Sequence, residues 1–383
     1  MRLQFGLAPM EGVTDLSVRC WFQLIGQVDF LGTPFLRVTD TWPAHQIPMD
    51  FYPEGRLADV IPKPVIPQVM AAKPDAFLRV ADRLLDQFPW VDLNCGCPSS
   101  NCFRGGAGSQ LLAEPERLDH FIQTLMSELG PESVSVKMRT GIHHSDELPS
   151  LLKVLKPYKL KRVTVHGRTR AARYGGNSDW NAVAVASEFL DIPVVGSGDI
   201  FSASHYRRLL EPITTLGACI IGRGALRNPW IFWELKSGQT QSIDAEVLRW
   251  SLGTLAALNL LRAEDELALF DLLRNGLLSV TCGSDADLWQ SRFAMIGAYW
   301  GVTQPEQLNL PPKVLGRIKM LWNYWRSSLP EVFFEPRLLR LKTFPDMMTR
   351  IAEISKFWGH DSIPLSHQSK LDWIYSSDKK KNT

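Results

Sequence analysis

Short runs of apolar or β-branched residues recur through the first 225 residues, and consecutive runs begin about 25 to 43 residues apart. They lie at 3–8, 30–33, 64–70, 90–94, 133–138, 162–166, 193–197 and 218–221. Several runs are apolar throughout, which is typical of parallel strands that are covered by helices. Segments with helical periodicity separate them, at 76–85, 116–126, 148–155, 181–189 and 203–210. This alternation predicts an α/β protein with eight strand–helix units, a (β/α)8 TIM barrel.

The pattern changes near residue 242, after which the strand-like runs stop and helical patterns dominate. One apolar stripe at helical spacing comprises Val314, Leu315, Ile318, Leu321, Trp322 and Trp325. We expect this stripe, with its tryptophans, to pack into a core. The chain is therefore predicted to hold a barrel at 1–241, an all-α C-terminal domain at 242–357 and a partly disordered tail at 358–383.

Composition narrows the class of protein. The chain has 383 residues, of which 45% are hydrophobic and 21% charged, so it can bury a large core. No uncharged stretch approaches the roughly 18 residues that a membrane helix needs, and the N-terminus lacks the apolar segment of a signal peptide. Six cysteines are too few for a disulfide scaffold. We therefore expect a cytoplasmic protein without membrane association.

The formal net charge of +2 argues against a nucleic-acid partner until the charge is divided by segment. Residues 244–310 carry nine acidic and four basic side chains, whereas residues 311–356 carry nine basic and four acidic ones. A basic surface attracts phosphate groups, although a run of charges is more often simply a solvated helix face. The basic side chains expected to face solvent include Lys313, Arg317, Lys319, Arg326, Arg337, Arg340 and Lys342.

Glycine-rich loops follow the seventh and eighth predicted strands. Ser197, Gly198 and Asp199 belong to the first loop, and Gly222 and Arg223 to the second. Glycine lets backbone N–H groups close around a phosphate, and TIM barrels commonly bind phosphate at this position. The arginine can add a charge-assisted contact. The alternative is that both loops are only tight turns.

Four polar side chains are expected to project from the same end of the barrel, namely Gln68, Lys137, His166 and Arg168. A lysine beside the pyrimidine ring of a flavin would stabilise the negative charge that develops there on reduction. A glutamine can both donate and accept hydrogen bonds at the same edge. Each of the four alone fits a structural role, but together they favour a flavin site.

Residues 93–112 read LNCGCPSSNCFRGGAGSQLL and hold three cysteines. Only one of Cys95 and Cys97 is expected to face the cavity, and Pro98 restricts the backbone of Cys97. A thiol in a cavity acts as a nucleophile or as a proton donor. Metal binding that includes Cys102 is disfavoured, because a CxxC pair and a clear fourth ligand are missing. Buried inert cysteines are the remaining alternative.

These motifs together resemble the tRNA-dihydrouridine synthase family. The stretches that carry the resemblance are APMEGVTD (8–15), NCGCP (94–98), VKMR (136–139), VHGRTR (165–170), SGDI (197–200) and IGRGAL (221–226). Their order and spacing match the family over about the first 235 residues. TPFLRVTD (33–40) and the basic helical end are similar to the bacterial C-type branch, which acts on uridine 16 in the tRNA D-loop.

The resemblance implies an FMN enzyme that reduces the C5–C6 double bond of uridine in tRNA with NADPH, with Cys97 as the proton donor. It implies FMN contacts for Pro9, Met10, Gln68, Lys137, His166, Ser197, Gly198, Asp199, Gly222 and Arg223. It implies substrate or tRNA contacts for Asn94, Arg139, Arg168, Arg317, Lys319 and Arg326, with Asn94 beside the uracil. Because a stacked base is out of reach, the uridine must be extruded from the tRNA. The resemblance implies neither a metal nor an obligate protein partner.

The chain departs from the family pattern in several places. Cys95 and Cys102 stand where the family usually has other residues, and Arg173 replaces the usual glycine before Tyr174. Ser197 stands where the family usually has Asn, which weakens or replaces one cofactor contact. Residues from about 249 to 310 form a longer segment than the family leads us to expect, a candidate insertion. Two alternative functions remain: an FMN barrel enzyme that acts on a free pyrimidine or another small molecule, and an RNA-binding homologue without catalysis. The basic segment disfavours the first, and the presence of Cys97, Lys137 and His166 disfavours the second.

Overall fold

Eight parallel strands close into a barrel in chain order. The computed structural model describes residues 3–43, 47, 57, 60–210, 213, 215–359 and 362–365. The strands are β1 Gln4–Leu7, β2 Phe30–Val38, β3 Val65–Ala71, β4 Val91–Cys95, β5 Val134–Arg139, β6 Val163–His166, β7 Val194–Ser197 and β8 Ala218–Ile221. The predicted barrel and all eight predicted strand positions are confirmed. The predicted tail from residue 366 onward lies outside the described residues.

Strand β2 is longer than the sequence pattern predicts. Its pairing with β3 shifts register between Gly32 and Phe35 and then continues to Val38. Pro34 interrupts the apolar run, and a proline inside such a run normally argues against a strand. The shift in register accommodates the proline and lets the strand continue.

Helices follow the strands and surround the barrel. They are α1 Leu16–Ile25, α2 Pro74–Leu85, α3 Ser100–Arg104, α4 Pro115–Leu129, α5 Leu148–Leu155, α6 Trp180–Phe189, α7 Ala203–Leu210, α8 Arg223–Arg227 and α9 Ile231–Ser237. The pattern of apolar and polar residues does not predict helix α1, because all of its residues are buried, including Arg19 and Gln23. The helix therefore has no polar face. Its start is set by Asp15, whose Oδ1 accepts a hydrogen bond from the Val18 N–H at 3.2 Å.

The barrel interior is filled below the rim formed by the carboxyl ends of the strands. Phe30, Ile66, Val195 and Ile220 form a small apolar cluster there, separate from the main core between strands and helices. The Arg162 guanidinium lies 4.4 Å from the centre of the Phe30 ring. The interior is thus a packed core, and its apolar side chains lie directly against polar ones such as Arg162.

The C-terminal part is helical, as predicted. Its helices are α10 Ala245–Glu264, α11 Glu266–Arg274, α12 Ala286–Gly297, α13 Pro312–Trp325 and α14 Phe344–Trp358. A short antiparallel ribbon of β9 Ser242–Ile243 and β10 Ile363–Pro364 adds to them. Trp322 and Trp325 are buried, which confirms that the apolar stripe of α13 is a core.

Helix α10 joins the C-terminal part to the barrel by packing on α1. The Ser17 hydroxyl donates to the Leu258 carbonyl at 3.1 Å, and the Trp21 indole N–H donates to the Ser251 carbonyl at 2.9 Å. The segment considered as an insertion therefore contains the helix that holds the two parts together. The boundary at residue 241 stays a prediction. Within the described chain, no helix is long and apolar enough to cross a bilayer.

Candidate active site

The parallel register brings the predicted polar residues to one end of the barrel. Residues that lie opposite each other on neighbouring strands are Gln68 and Asp92, Asn94 and Lys137, Arg139 and His166, and His166 and Ser197. Pro9, Gln68 and Lys137 line one cavity together with Asp92 and Arg162. Four of these cavity residues come from different strands or the loops after them, which is how TIM barrels build active sites.

The loop after β4 fixes the backbone of Cys97 from two sides. The Asn94 side-chain oxygen accepts hydrogen bonds from the N–H groups of Gly96 at 2.9 Å and Cys97 at 3.0 Å, which forms a turn. On the other side, the Ser109 hydroxyl donates to the Cys97 carbonyl at 2.7 Å. Gly108 has a φ of +64°, and a Cβ there would lie 3.1 Å from the Cys97 Cβ. The loop therefore leaves Cys97 little freedom.

Cys97 is nearly buried, with 9% of the residue's surface exposed. It contacts a small cluster that includes Met70, Cys102 and Ala107. Burial, with smaller contributions from Cys102 and Glu11, raises the pKa of Cys97 to about 11. The side chain is consequently a thiol at neutral pH, which suits a proton donor better than a nucleophile.

Cys95 faces away from this cavity and lies in the core between strands and helices. That only one of the pair faces the cavity stays a prediction, but the two cysteines do lie in different surroundings, since Cys97 belongs to the small cluster with Met70. The cause is that β4 ends at Cys95, after which the Asn94 turn redirects the chain. Burial raises the pKa of Cys95 above its ordinary value. Among the described residues, no three His, Cys, Asp or Glu side chains are placed to hold a metal ion.

The rim is cationic. Burial, followed by the positive charge of Arg139, lowers the pKa of Lys137 to about 8, although Asp92 and Cys97 act in the opposite direction. Burial, followed by the positive charges of Arg139 and Lys137, lowers the pKa of His166 well below its ordinary value. At neutral pH the site thus presents a protonated lysine and a neutral imidazole, a donor set that suits an electron-rich ring.

Two arginines share one carboxylate beside the loops after β7 and β8. Asp199 Oδ2 accepts from Arg168 Nη2 at 2.5 Å and from the Ser178 N–H at 2.8 Å. Asp199 Oδ1 lies 3.3 Å from Arg223 Nη2. One negative charge against two positive ones leaves the cluster positive, as an anion site requires. In this geometry Asp199 orients the two arginines. The sequence predicted Asp199 only as a direct cofactor contact and not in this orienting role.

The first glycine-rich loop, at residues 197–199, brings its backbone close to Ser178. Gly198 has a φ of +135°, and a Cβ there would collide with the Ser178 hydroxyl. The buried Ser178 Oγ makes no hydrogen bond within the described part of the chain. Met10 lies beside Gly222, with its sulfur 3.4 Å from where a Cβ on that glycine would stand. The donors, glycines and unpaired hydroxyl all fit a bound phosphate group.

The two arginines predicted to contact substrate also hold the loop after β6. Arg139 Nη1 donates to the carbonyls of Thr169 at 2.9 Å and Arg173 at 2.8 Å. Arg168 Nη2 donates to the Gly176 carbonyl at 2.6 Å. Their substrate contacts stay a prediction, because hydrogen bonds within the chain neither require nor exclude them.

Three residues near this site were missed as functional candidates. Tyr174 is 51% exposed and its ring lies 5.6 Å from the Arg139 guanidinium and 5.0 Å from that of Arg223. Asp92 is buried beneath the rim, and Ser178 lies against the phosphate loop. For Asp92 a signal was available, since a charged residue two positions before Asn94 on a buried strand faces the same interior.

The three cations predicted to bind tRNA are engaged within the chain. Arg317 forms an ion pair with Asp15 at 2.7 Å and donates to the Val13 carbonyl at 2.8 Å. Lys319 donates to the Leu341 carbonyl. Arg326 donates to Asn323 Oδ1 at 2.8 Å. By contrast, Arg337, Arg340 and Lys342 are exposed.

The fold and the site define a (β/α)8 barrel protein with a buried thiol among cationic side chains. The family model described as "Dihydrouridine synthase (Dus)" matches residues 6–273, and the chain belongs to this family. The matched range begins within β1, includes the other seven strands in full and ends near the end of α11.

Individual relatives differ in the nucleotide that their names specify. The tRNA-dihydrouridine(16) synthase of Escherichia coli is 32% identical over 58% of this chain and 72% of its own length. The protein of the same name from Pasteurella multocida is 30% identical over 63% of this chain and 79% of its own. The tRNA-dihydrouridine(47) synthase [NAD(P)(+)] of Coprinopsis cinerea is 35% identical, but the match covers 46% of this chain and only 29% of that protein.

One solved structure, the crystal structure of TcOYE with pHBA, aligns over 61% of this chain and 89% of its own. Its TM-score is 0.46 and its sequence identity is 9%, a likeness that adds nothing to the fold described above.

Proposed function

We propose that this protein reduces the C5–C6 double bond of a uridine in the D-loop of tRNA, with FMN as cofactor and NADPH as reductant. The observation that carries the proposal is the Cys97 thiol, which is kept protonated on a fixed loop at a cationic rim. Family membership and the names of the relatives support it. We place the reaction in the cytoplasm.

The residues of the rim fit FMN. Pro9, Met10, Gln68, Lys137 and His166 would hold the ring system, and Ser197, Gly198, Gly222 and Arg223 the phosphate. Asp199 would keep the Arg168 and Arg223 guanidinium groups in place, and the unpaired Ser178 hydroxyl offers a donor close to Gly198. When bound, FMN supplies the hydride that uridine reduction requires.

The chain itself supplies the proton. Reduction places a hydride on C6 of the uracil, and the electron pair of the C5–C6 double bond then takes a proton at C5. Cys97 donates that proton from its thiol and becomes a thiolate. Lys137, which is still protonated at neutral pH, stabilises the negative charge that develops on the uracil. We assign Asn94, Arg139 and Arg168 to the walls of the uracil site.

The basic segment at 311–356 would bind the tRNA backbone. Arg317, Lys319 and Arg326 lie in it, but their contacts within the chain favour a structural contribution. We assign the phosphate contacts chiefly to the exposed Arg337, Arg340 and Lys342. Such contacts orient the RNA without reading its sequence, and leave the extruded base to the barrel.

We propose uridine 16 as the target. The relatives named for position 16 align over more than two thirds of their own length, whereas the relative named for position 47 aligns over 29% of its own. Two relatives named for position 16 thus match this chain along most of their own length, which supports the same target here.

The test uses purified protein loaded with FMN, NADPH and an unmodified tRNA transcript. Dihydrouridine detected by mass spectrometry, in a transcript that retains U16, supports the proposal. The matched control transcripts carry U16→C or U20→C. Product that disappears only with U16→C confirms the position, product that disappears only with U20→C refutes it, and no product from any transcript refutes the activity.

A further inference from the structure

A chain of hydrogen bonds links three strands of the barrel to the loop that carries Cys97. It begins on β5, where the Ser135 hydroxyl donates to Asp92 Oδ1 at 2.5 Å. Gln68 Nε2 donates to Asp92 Oδ2 at 2.7 Å, and Asn94 Nδ2 donates to Gln68 Oε1 at 2.7 Å. Finally, the Cys97 N–H donates to Asn94 Oδ1 at 3.0 Å.

The direction of this chain is fixed at both ends. A carboxylate oxygen can only accept a hydrogen bond, so Asp92 forces the amide of Gln68 to present its NH2 group. The backbone N–H groups of Gly96 and Cys97 can only donate, so Asn94 must present its oxygen to them. Between these ends, the Asn94 NH2 group donates to the Gln68 side-chain oxygen. If either amide were flipped, it would lose its hydrogen bonds to both neighbours.

The chain is also buried, which makes its orientation costly to change. Asp92, Gln68 and Asn94 are each less than a tenth exposed. In such surroundings an unpaired polar group loses its partner without gaining water. A disturbance at Asp92 is therefore transmitted to Gln68 and Asn94 instead of being absorbed by solvent.

We infer that Asp92 is a positioning residue for Cys97. By accepting from Gln68 it fixes the orientation of the Gln68 and Asn94 amides, and Asn94 in turn holds the turn that presents the thiol. The effect of Asp92 on catalysis rests on the proposed function. The effect of Asp92 on the geometry of the loop is independent of the proposed function.

A different role for Asp92 would be that of a counter-charge. Its carboxylate lies near Lys137 and Arg162 and acts to raise the pKa of both. The two roles predict different results for the same pair of substitutions. Asp92→Asn removes the charge, yet its side-chain oxygen can still accept from Gln68 while its NH2 donates to the Ser135 hydroxyl. Asp92→Leu removes both the charge and the acceptor.

The test measures the rate at which iodoacetamide alkylates Cys97 in the FMN-loaded protein, without tRNA or NADPH. We expect Asp92→Leu to accelerate alkylation about tenfold, as the loss of one or two buried hydrogen bonds would, and Asp92→Asn to stay within about twofold of the wild type. The matched control is Thr164→Val, because Thr164 is buried opposite Lys137 but outside the chain. It should leave the rate unchanged.

Uridine reduction gives the second measurement. Asp92→Leu should lower kcat about tenfold with little change in KM for tRNA, and Asp92→Asn should restore kcat. Equal rates of alkylation in Asp92→Leu and the wild type would overturn the inference, and so would equal acceleration in Asp92→Leu and Asp92→Asn. If Asp92→Leu does not fold, Gln68→Leu takes its place, because it removes the next residue in the chain of hydrogen bonds. For this variant only the rate of alkylation is measured. It must accelerate alkylation, and an unchanged rate overturns the inference.

The two proposals fail separately. A wild-type protein that reduces no uridine, but whose variants show the expected alkylation pattern, refutes the proposed function and leaves the positioning role intact. A protein that reduces uridine, but whose Cys97 reacts alike in all variants, does the reverse.

Discussion

The barrel rim and the basic segment at 311–356 both concentrate cations, yet they hold them in different ways. On the rim, Lys137 lines the cavity at the barrel end, and Arg168 and Arg223 share the single carboxylate of Asp199. In the basic segment, Arg317 is committed to Asp15 and to backbone carbonyls of the barrel. The density of positive charge therefore identifies neither site by itself. The position and the exposure of each cation have to be considered as well, as for the exposed Arg337, Arg340 and Lys342.

The largest expected effect belongs to the rim. Cys97→Ala should lower the rate of uridine reduction about a thousandfold, because general acid catalysis typically contributes 10²–10⁴-fold. FMN binding should persist, since the thiol is not part of the proposed phosphate site. Single-turnover formation of dihydrouridine measures the effect. Cys102→Ala is the matched control, being a neighbouring buried cysteine with no assigned step; a Cys97→Ala protein as fast as this control would remove the role of the thiol.

In the basic segment, Arg317→Ala should affect stability before it affects RNA binding. The substitution removes an ion pair with Asp15 and hydrogen bonds to Val13 and Asn259. We expect the free energy of unfolding to fall by about 2 kcal/mol in a denaturant titration. Exposed Arg337→Ala should change it by less than about 0.5 kcal/mol. Equal effects would mean that Arg317 does not join the two parts of the molecule.

The exposed cations should show the opposite behaviour. Replacing Arg337, Arg340 and Lys342 together with alanine should weaken tRNA binding about tenfold and reduce the slope of log affinity against log salt by about three. Stability should hardly change. The matched control replaces Lys153, Lys159 and Arg208, which are exposed and lie outside the basic segment. An unaltered slope in the first variant would place the RNA surface elsewhere.

A smaller effect concerns pH. Because burial lowers the pKa of Lys137 to about 8, this side chain loses its charge as the pH rises through that value. Cys97, with a pKa raised to about 11, keeps its proton over the same range. Uridine reduction should therefore slow severalfold between about pH 7 and pH 9. Lys137→Arg should flatten the decline, whereas a wild-type rate that stays constant would show that the lysine charge is not used.

The sequence predicted the rim far better than the contacts around it. The apolar runs located the strands, and the residues at their ends, such as Gln68, Lys137 and His166, followed directly from them. The chain of hydrogen bonds through Asp92 could not be predicted, because it depends on which residues lie opposite each other on neighbouring strands. The partner of Arg317 lies some three hundred residues away along the chain. Hydropathy carries no information about such a pairing.

The most direct test of the central claim is the dihydrouridine content of tRNA from cells that lack this gene and carry either the wild-type or the Cys97→Ala protein. The account predicts dihydrouridine at position 16 with the wild-type protein and unmodified uridine there with Cys97→Ala, at equal protein levels. Dihydrouridine 16 that persists without any copy of the gene, or that Cys97→Ala restores in full, would contradict it.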